Sequence, residues 1–438
     1  MRILYLFFVL FCSCDSYLDA KSDLTLSTLD SKEAAEALLD GIDRMNKGSV
    51  VLQNASDEYY IRDEVYNAIS NPFNLESYIW FEGTQTDEDW NSLYRAIYTA
   101  NLVIDNLERA GLKEGESDFL KYRANASFYR AHAYSHLLQI YTDVYDDHNA
   151  ANMSGIVIRE DSDFSKKSFV SSLKDSYVYV IDDLQSNQKY LDQIAALKTR
   201  PSIQSSLALL ARIYLYKGDY QKAYDLTTEL VSGDGSELLD YNELDTLENI
   251  PFEIFNREVI FYSSTVVANN VYQSTASVSR QFYESYDDRD LRKTLYFQML
   301  PNGEIGFKGS YNGSLSNLFN GIAWDEVYLI RAESAARTGN EHEALDILNL
   351  LKKRRWKNEC YEPYEIANID DVLDAVLNER KLQLFFRGNR FSDVKRYNKE
   401  GRGIVLRRVV NGQEIILEPN DPGYIWSIPK RVKDLAGL

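Results

Sequence analysis

The feature that most constrains the fold of this chain is a helical hairpin that occurs twice. In the first copy, residues 199–232, two stretches with apolar residues at helical spacing are separated by Gly218. Glycine readily takes the positive φ that ends a helix, so Gly218 indicates the turn. The second copy, residues 324–355, repeats this spacing around its own glycine. The coinciding positions are Gly218 and Gly339, Ala211 and Ala332, Ala223 and Ala344, and Leu226 and Ile347.

Repeated hairpins of this kind are typical of tetratricopeptide-like scaffolds, in which neighbouring units stack and bury faces that one unit leaves exposed. We expect the first hairpin to begin with Thr199 as the N-cap and Pro201 in the first turn. The alternative is a pair of unrelated amphipathic helix pairs, because short repeats are degenerate. Such scaffolds usually bind ligands or partner proteins. The repeat therefore predicts an architecture but no specific function.

The remaining segments predict a mostly α fold, with a helical-repeat scaffold, long irregular loops and short strands. Apolar residues at helical spacing predict further helices over residues 31–45, 90–110, 118–141, 172–191 and 370–387. Residues 233–323 are rich in glycine, asparagine and serine, which favours loops, with a short strand over residues 257–263. We predict one compact domain with an N-terminal helical region (29–232), a loop-rich ligand-binding insertion (233–323) and a C-terminal region (324–438).

The first residues predict export and a lipid anchor. Residues 1–13 combine one positive charge with an apolar run that is too short to cross a bilayer as a helix, which is typical of a secretory signal. A small residue precedes Cys14 at the end of this run, as in a bacterial lipoprotein cleavage site. We therefore expect lipidation of Cys14, with residues 14–28 as a tether. Cys12 is the weaker candidate because bulky Phe11 precedes it, and a plain signal peptide is the alternative.

Composition limits the possible partners. The formal net charge of −19 disfavours a polyanionic partner such as nucleic acid. The 32 tyrosines and 19 phenylalanines suit either a large recognition surface or an aromatic core. No later segment is long and apolar enough to predict a membrane span, so we expect the lipid to be the only membrane attachment.

Patterns for catalysis and metal binding are weak. His132 and His136 share a helix face, but the glutamate of a zinc-protease motif is missing between them, which favours packing. The acids at 87–89 could act in glycoside hydrolysis, yet their place before a helix favours an N-terminus with Asp89 as the N-cap. The acidic loop at 143–149 lacks EF-hand spacing and gives only a weak calcium prediction. The sequence therefore predicts no catalytic residue, no metal and no cofactor.

Several segments form a family pattern in order along the chain. They are a cysteine with an acidic, aromatic and Leu-Asp stretch at 14–19, aromatic helices at 90–101 and 123–143, the two hairpins, NERKLQLFFRGNRFSDVKR at 378–396 and Ile-Pro at 428–429. Together they resemble the SusD/RagB family, surface lipoproteins of the Bacteroidetes. The resemblance implies a SusD-like fold and a non-catalytic protein at the outer membrane, facing outside. It also implies binding of glycans, or of peptides in some members, and their delivery to a SusC-type TonB-dependent β-barrel transporter.

Two loops have the composition of a glycan site. Sugars present apolar C–H faces and rims of hydroxyls, so their sites combine exposed rings with amide, acid or guanidinium groups. The resemblance places one contribution just before the helix predicted at residue 90. The predicted ligand-binding residues are Asn71, Tyr78, Trp80 and Phe81 in one loop, and Tyr272, Gln273, Arg280 and Tyr283 in the other. The alternative for each ring is that it only packs its loop onto the scaffold.

Two other classes of function stay open at the level of sequence. One is a helical-repeat adaptor that binds protein or peptide, which predicts no exposed platform of rings and amides. The other is a glycan-degrading enzyme, which requires two carboxylates roughly 5–10 Å apart across a cleft. The sequence does not name the glycan.

Overall fold

Long helices packed in pairs form the framework of the protein. The computed structural model describes residues 29–81, 83–84, 87–231, 235, 237–365 and 371–437. The helices in these ranges, α1 to α17 in chain order, are Lys32–Leu39, Ile42–Met45, Val51–Asn54, Asp63–Tyr66, Pro72–Tyr78, Asp87–Asp105, Ser117–Tyr141, Leu173–Asn187, Ile203–Lys217, Tyr220–Leu230, Arg280–Tyr283, Arg292–Leu295, Trp324–Arg337, Glu341–Arg355, Val372–Gln383, Arg390–Lys399 and Lys430–Ala436. The prediction of a mostly α fold is confirmed.

The two repeated hairpins are present and stack on each other. The first consists of α9 and α10, and Gly218 ends α9 with a φ of 82°. The second consists of α13 and α14, with Gly339 at a φ of 87° between them. α10 packs against α13, so the hairpins share one buried interface. α6, α7 and α8 pack in sequence beside them and extend the helical scaffold towards the N-terminus.

The start of the first hairpin differs from the prediction. Ser202, not Thr199, is the N-cap, and it forms a capping box with Ser205 in which each hydroxyl accepts the other's backbone N–H, over 3.1 and 2.7 Å. Thr199 instead presents its carbonyl oxygen to the hydroxyl of Tyr129 over 2.7 Å. The reciprocal pair satisfies two free N–H groups at once, which one threonine does not achieve. Pro201 therefore precedes the cap.

A glycine also divides the predicted helix over residues 31–45. Ser31 caps α1 as expected, its hydroxyl accepting the N–H of Ala34 over 3.2 Å. α1 then ends at Leu39, and α2 begins after Gly41, whose φ of −67° and ψ of 81° are not helical. The helical pattern of apolar residues continues across this break, which is why the sequence alone predicted a single helix.

Strands are short and pair two at a time. In chain order, β1 to β10 are Lys47–Gly48, Ser154–Val157, Val170–Ser172, Val259–Phe261, Ser264–Thr265, Phe297–Met299, Ile305–Phe307, Ile322–Ala323, Leu406–Val410 and Gln413–Leu417. β1 and β5 are parallel, while β2–β3, β4–β8, β6–β7 and β9–β10 are antiparallel. The predicted strand over residues 257–263 corresponds to β4. No helix in the described ranges has an apolar stretch sufficient to span a bilayer.

Charge-assisted hydrogen bonds anchor the segment at residues 378–396 in the core. Arg390 donates to both carboxylate oxygens of Asp57, over 2.8 and 2.9 Å. Asp393 accepts from Arg380 over 2.8 Å and from Arg396 over 3.0 Å. All five side chains except that of Asp57 are almost fully buried, so these bonds replace water for groups that are costly to desolvate. These contacts give the segment a structural role.

Candidate functional site

The two loops that the sequence singled out lie side by side. We call residues 59–81 the first loop and residues 269–283 the second loop. Tyr60 and Ser277 exchange two backbone hydrogen bonds, with N–O distances of 2.8 and 2.9 Å. α5, in the first loop, also packs against the 3-10 turn that contains Asn270 in the second. Segments that are about 200 residues apart along the chain therefore form one surface.

Arg408, from β9, lies beneath this surface and joins its parts. Its guanidinium group is 4.3 Å from the ring centre of Tyr78 and 5.3 Å from that of Trp80. Its Nη1 donates to the carbonyl oxygen of Tyr59 over 2.7 Å. The hydroxyl of Tyr59 in turn accepts the side-chain amide of Asn270 over 2.9 Å. One buried cation thus fixes the position of both loops through cation–π contacts and hydrogen bonds.

Tyr78 and Trp80 belong to this floor, although the sequence suggested them as ligand-stacking rings. Tyr78 is fully buried and its hydroxyl accepts the N–H of Ile61 over 3.0 Å. Trp80 is 6% exposed and donates its indole N–H to the carbonyl oxygen of Ala55 over 2.9 Å. Their ring faces are covered by protein in this structure. The physical reason is the stacking of Arg408, which lies far along the chain.

Phe81 and Asn71 remain at the surface of the first loop. The ring of Phe81 is 53% exposed, directly after the buried Trp80. Asn71 caps α5, its Oδ1 accepting the N–H of Phe73 over 3.1 Å. Within the described ranges its amide nitrogen has no acceptor, so it is available to donate to a ligand. These two residues keep the combination of ring and amide that the sequence predicted.

Gln273 and Tyr272 are half-buried in the second loop. Gln273 donates its side-chain amide to the carbonyl oxygen of Phe307 over 3.0 Å, and its backbone N–H to that of Leu315 over 3.0 Å. Its own side-chain oxygen has no donor in the described part of the chain, so it can accept from a ligand hydroxyl. The contact with β7 fixes the side chain in place and limits the entropy that binding would cost.

Arg280 and Tyr283 lie apart, at the far end of the second loop. Arg280 is exposed and 3.8 Å from Glu284, the C-cap of the short helix α11. The ring of Tyr283 packs edge-on against Phe297, 5.8 Å between centres, and Lys293 lies 5.1 Å from the ring centre. The contact with Phe297 directs Tyr283 towards β6, and no contact in the described ranges joins Arg280 to the first loop. We therefore take Asn71, Phe81 and Gln273 as the main residues of the candidate site.

Sequence reasoning missed a polar group at this surface. The hydroxyl of Tyr60 donates to the carboxylate of Glu304, and Nε of Arg62 lies 4.0 Å from the same carboxylate. Burial and the bond to Glu304 raise the pKa of Tyr60 to about 12, so the phenol stays protonated at neutral pH. Glu304 follows the tight turn at Gly303 between β6 and β7. The sequence indicates the turn at Gly303, but only the pairing of Tyr60 with Ser277 shows that this turn lies at the loop surface.

The acidic stretch at 87–89 serves the fold. α6 begins at Asp87, so Asp89 lies within its first turn and is not its N-cap. Asp89 instead accepts the backbone N–H groups of Val50 and Val51, over 2.8 and 3.1 Å, at the start of α3. Burial raises the pKa of Asp89 to about 7. The side chain is completely buried, so this pKa shift reflects desolvation. The same burial leaves a substrate no access to the carboxylate.

The histidine pair is packed in the core. The rings of His132 and His136 are 4.9 Å apart in an edge-to-face arrangement, and Phe261 lies beside His132. Burial lowers the pKa of His136 to about 3, so its ring is neutral at physiological pH. No group of three or more potential metal ligands occurs in the ranges that the structure describes. Cys14 lies outside those ranges, and Cys360 is a free, half-buried thiol.

The fold and the loop surface define a helical-repeat protein that presents an exposed ring and hydrogen-bonding groups on loops. A family model described as "Starch-binding associating with outer membrane" matches residues 16–215, and a model described as "SusD family" matches residues 310–429. The chain belongs to the SusD/RagB family, as its sequence indicated. Proteins of this family bind carbohydrate and are associated with the outer membrane.

Relatives and solved structures agree with this assignment. "SusD-like protein P2" of Formosa agariphila is 24% identical, over 70% of this chain and 70% of its own length. A SusD superfamily protein from Bacteroides thetaiotaomicron shares the fold with a TM-score of 0.72 at 20% identity, covering 93% of this chain and 98% of that one. A structure described as a laminarin-binding SusD-like protein has a TM-score of 0.66 at 18% identity, covering 92% and 97%.

Proposed function

We propose that this protein is a lipid-anchored glycan receptor of the outer membrane that delivers its ligand to a SusC-type TonB-dependent transporter. The observation that carries the proposal is the loop surface itself, on a scaffold whose family binds carbohydrate. Two distant loops converge there and carry an exposed ring, Phe81, together with groups able to hydrogen-bond hydroxyls. The laminarin-binding protein with this fold supports an oligosaccharide as the ligand class.

The chemistry of the loop surface suits a sugar. An exposed phenyl ring can cover an apolar C–H face. The free amide nitrogen of Asn71 can donate and the free side-chain oxygen of Gln273 can accept. The oxygens of the Tyr60–Glu304 pair can accept as well, since the hydroxyl proton of Tyr60 is already donated to Glu304. Because Arg408 and the buried rings fix these groups from below, binding would not have to order the loops. A preformed surface of this kind costs little conformational entropy.

The proposed role is binding without catalysis. Asp89, the buried member of the acidic stretch at 87–89, accepts two backbone N–H groups and has no access to solvent. Glu304, the carboxylate at the loop surface, is bound by Tyr60 and lies near Arg62, which favours a role in hydrogen bonding. Incubation of the purified protein with its bound oligosaccharide should leave the chain length of the sugar unchanged, as measured by chromatography. Cleavage products would contradict this part of the proposal.

Delivery to a transporter is tested by co-purification. Affinity-tagged protein is isolated from detergent-solubilised outer membranes, and proteins that accompany it are identified by mass spectrometry. A large β-barrel transporter in near-equal amount is the expected result. If other proteins accompany it and no barrel does, the adaptor role gains support instead and the delivery proposal fails.

Glycan binding is tested separately on the purified chain. A panel of polysaccharides that includes laminarin is screened, and the affinity of the best ligand is then measured for the Phe81→Ala and Asn71→Ala variants. Each variant is expected to weaken binding about fivefold or more. Phe169→Ala is the matched control, because Phe169 is also exposed, at 64%, but lies outside both loops. Equal affinity of all variants would place the ligand elsewhere, and the absence of any bound polysaccharide would contradict the glycan assignment.

A further inference from the structure

A cavity lies on the flank of α6, away from both loops. Its volume is about 240 Å³, and it is formed by α6, the segment that follows β2, and α17. Its main lining residues are Trp90, Tyr94, Tyr98, Arg159, Phe164 and Val432. None of its lining residues belongs to the first or the second loop. We call it the Trp90 cavity.

Aromatic rings form the wall of the Trp90 cavity. Trp90, Tyr94 and Tyr98 follow one another at four-residue spacing along α6, so they share a face of the helix. The rings of Trp90 and Tyr94 lie 4.3 Å apart with their planes inclined at 32°. The hydroxyl of Tyr94 donates to the carbonyl oxygen of Val157 over 2.8 Å, which holds this ring in place. The wall is therefore preformed.

Phe164 stands at the rim with most of its ring in water. Its side chain is 87% exposed, although it borders a cavity that other aromatic residues line. The segment that carries it is well fixed, because Arg159 donates to the carbonyl oxygen of Lys166 and to the hydroxyl of Ser168, both over 2.9 Å. A cavity of this size with a held, exposed ring at its edge favours an external ligand.

Polar groups at the cavity can serve hydroxyls. The hydroxyl of Tyr98 has no hydrogen-bond partner in the described part of the chain and can both donate and accept. Ser168 accepts from Arg159 and keeps its own proton free to donate. Arg159 and Asp161 both line the cavity and carry opposite charges, and the carboxylate of Asp161 accepts from Lys166 and from the backbone N–H of Asp163. The cavity thus offers ring faces together with hydroxyl groups, and its lining residues carry no net charge.

We propose that the Trp90 cavity is a second carbohydrate site that takes one neutral sugar unit. The balanced charges disfavour a uronate or a sulfated sugar. A volume below the roughly 300 Å³ of the smallest drug-sized pockets suits a single unit better than an extended chain. The choice of sugar as the ligand class rests on the proposed function, whereas the cavity itself rests on geometry. A glycan bound at the loops and at this cavity would gain avidity from two weak contacts.

The test uses single sugars, which separate this site from recognition of a long glycan. Methyl glycosides of neutral hexoses and pentoses are titrated into the intact mature chain, and binding is followed by saturation-transfer NMR. At least one glycoside is expected to bind in the millimolar range. Tyr98→Ala and Phe164→Ala are each expected to weaken it at least fivefold, and Tyr98→Phe less. Phe169→Ala, an exposed ring on the same segment but outside the cavity lining, should change nothing.

The outcomes distinguish this proposal from the proposed function. Binding that Phe81→Ala abolishes, and that Tyr98→Ala and Phe164→Ala leave intact, assigns the single sugar to the loops and overturns the second site. Failure of every glycoside to bind also overturns the second site. Binding of a polysaccharide at the loops would still support the proposed function, because it is measured separately. Because Phe164 is almost fully exposed, its replacement keeps the test valid if Tyr98→Ala reduces folding, which circular dichroism checks.

Discussion

Neighbouring aromatic residues have opposite roles where the first loop ends. Trp80 is buried over Arg408 and Phe81 points into solvent, although the two are adjacent in the chain. A loop residue can be structural or ligand-facing, and only the contacts of its side chain decide between the two. The φ of Trp80, 55°, is unusual for a non-glycine residue and accompanies this change in direction.

Replacement of these two rings separates stability from binding. Trp80→Ala removes a buried ring and a hydrogen bond, so we expect a loss of about 3–5 kcal/mol in the free energy of unfolding. Phe81→Ala should change stability by less than about 0.5 kcal/mol but weaken glycan binding. Urea unfolding followed by circular dichroism measures the first quantity, and calorimetric titration the second. If Trp80→Ala unfolds normally and loses only affinity, the assignment of Trp80 to the floor is wrong.

The buried carboxylate of Asp89 leads to a second prediction at the scale of single residues. Asp89→Ala leaves two buried N–H groups, those of Val50 and Val51, without an acceptor. We expect a loss of about 2–4 kcal/mol in the free energy of unfolding. Glu88→Ala is the control, because Glu88 is exposed in the same helical turn, and its cost should stay below about 1 kcal/mol. Chemical unfolding of both variants checks this, and equal losses would contradict the capping role.

At the scale of elements, local sequence signals predicted the helices and their turns better than they predicted the side-chain contacts of the loops. Gly218 indicated the turn of the first hairpin because the φ that it needs is a property of the residue itself. The burial of Tyr78 and Trp80 depends on Arg408, and the contribution of Tyr60 depends on Glu304. Such long-range contacts leave no periodic mark in the sequence. The regions of the candidate site could therefore be predicted, but not which of its rings face solvent.

A buried ion pair joins α13 to α16, and it predicts that the stability of the fold depends on pH. Glu333 accepts from Arg396 over 2.7 Å and from Arg337 over 2.8 Å. Burial alone would raise the pKa of Glu333, but the neighbouring guanidinium of Arg396 lowers it to about 2. Because this pKa is below the unfolded value of about 4.3, the pair stabilises fully above that pH and loses its effect as the pH falls towards 2.

Glu333→Gln should therefore cost stability in a pH-dependent way. At pH 7 we expect a loss of about 3–5 kcal/mol, since Arg396 keeps a buried charge without its main partner. The difference from the wild type should shrink as the pH is lowered from 5 to 3. Urea unfolding at pH 7, 5 and 3 measures it, with Glu341→Gln, an exposed glutamate at the start of α14, as the control. A difference that does not change with pH would show that Glu333 is not held ionised by the pair.

At the scale of the whole molecule, the proposed function needs the binding surfaces and the membrane attachment to act together. The helical scaffold holds the loop surface and the Trp90 cavity on separate elements, so each can be altered without the other. Its acidic character, with a net charge of −19, favours neutral over anionic ligands at long range. Under the proposed function, affinity for glycan would be a property of the folded domain, whereas position at the membrane would depend on Cys14 alone.

Replacement of Cys14 tests this separation. If Cys14 carries the lipid, Cys14→Ala should move the protein from the detergent phase to the aqueous phase in a phase-partition assay, because no second acyl or transmembrane anchor is expected. The affinity of the purified domain for its glycan should stay unchanged. Cys12→Ala is the matched control and should leave the protein in the detergent phase, since Cys12 would be removed with the signal. Retention of Cys14→Ala in the detergent phase would show that attachment has another source, and delivery to the transporter would then need a different explanation.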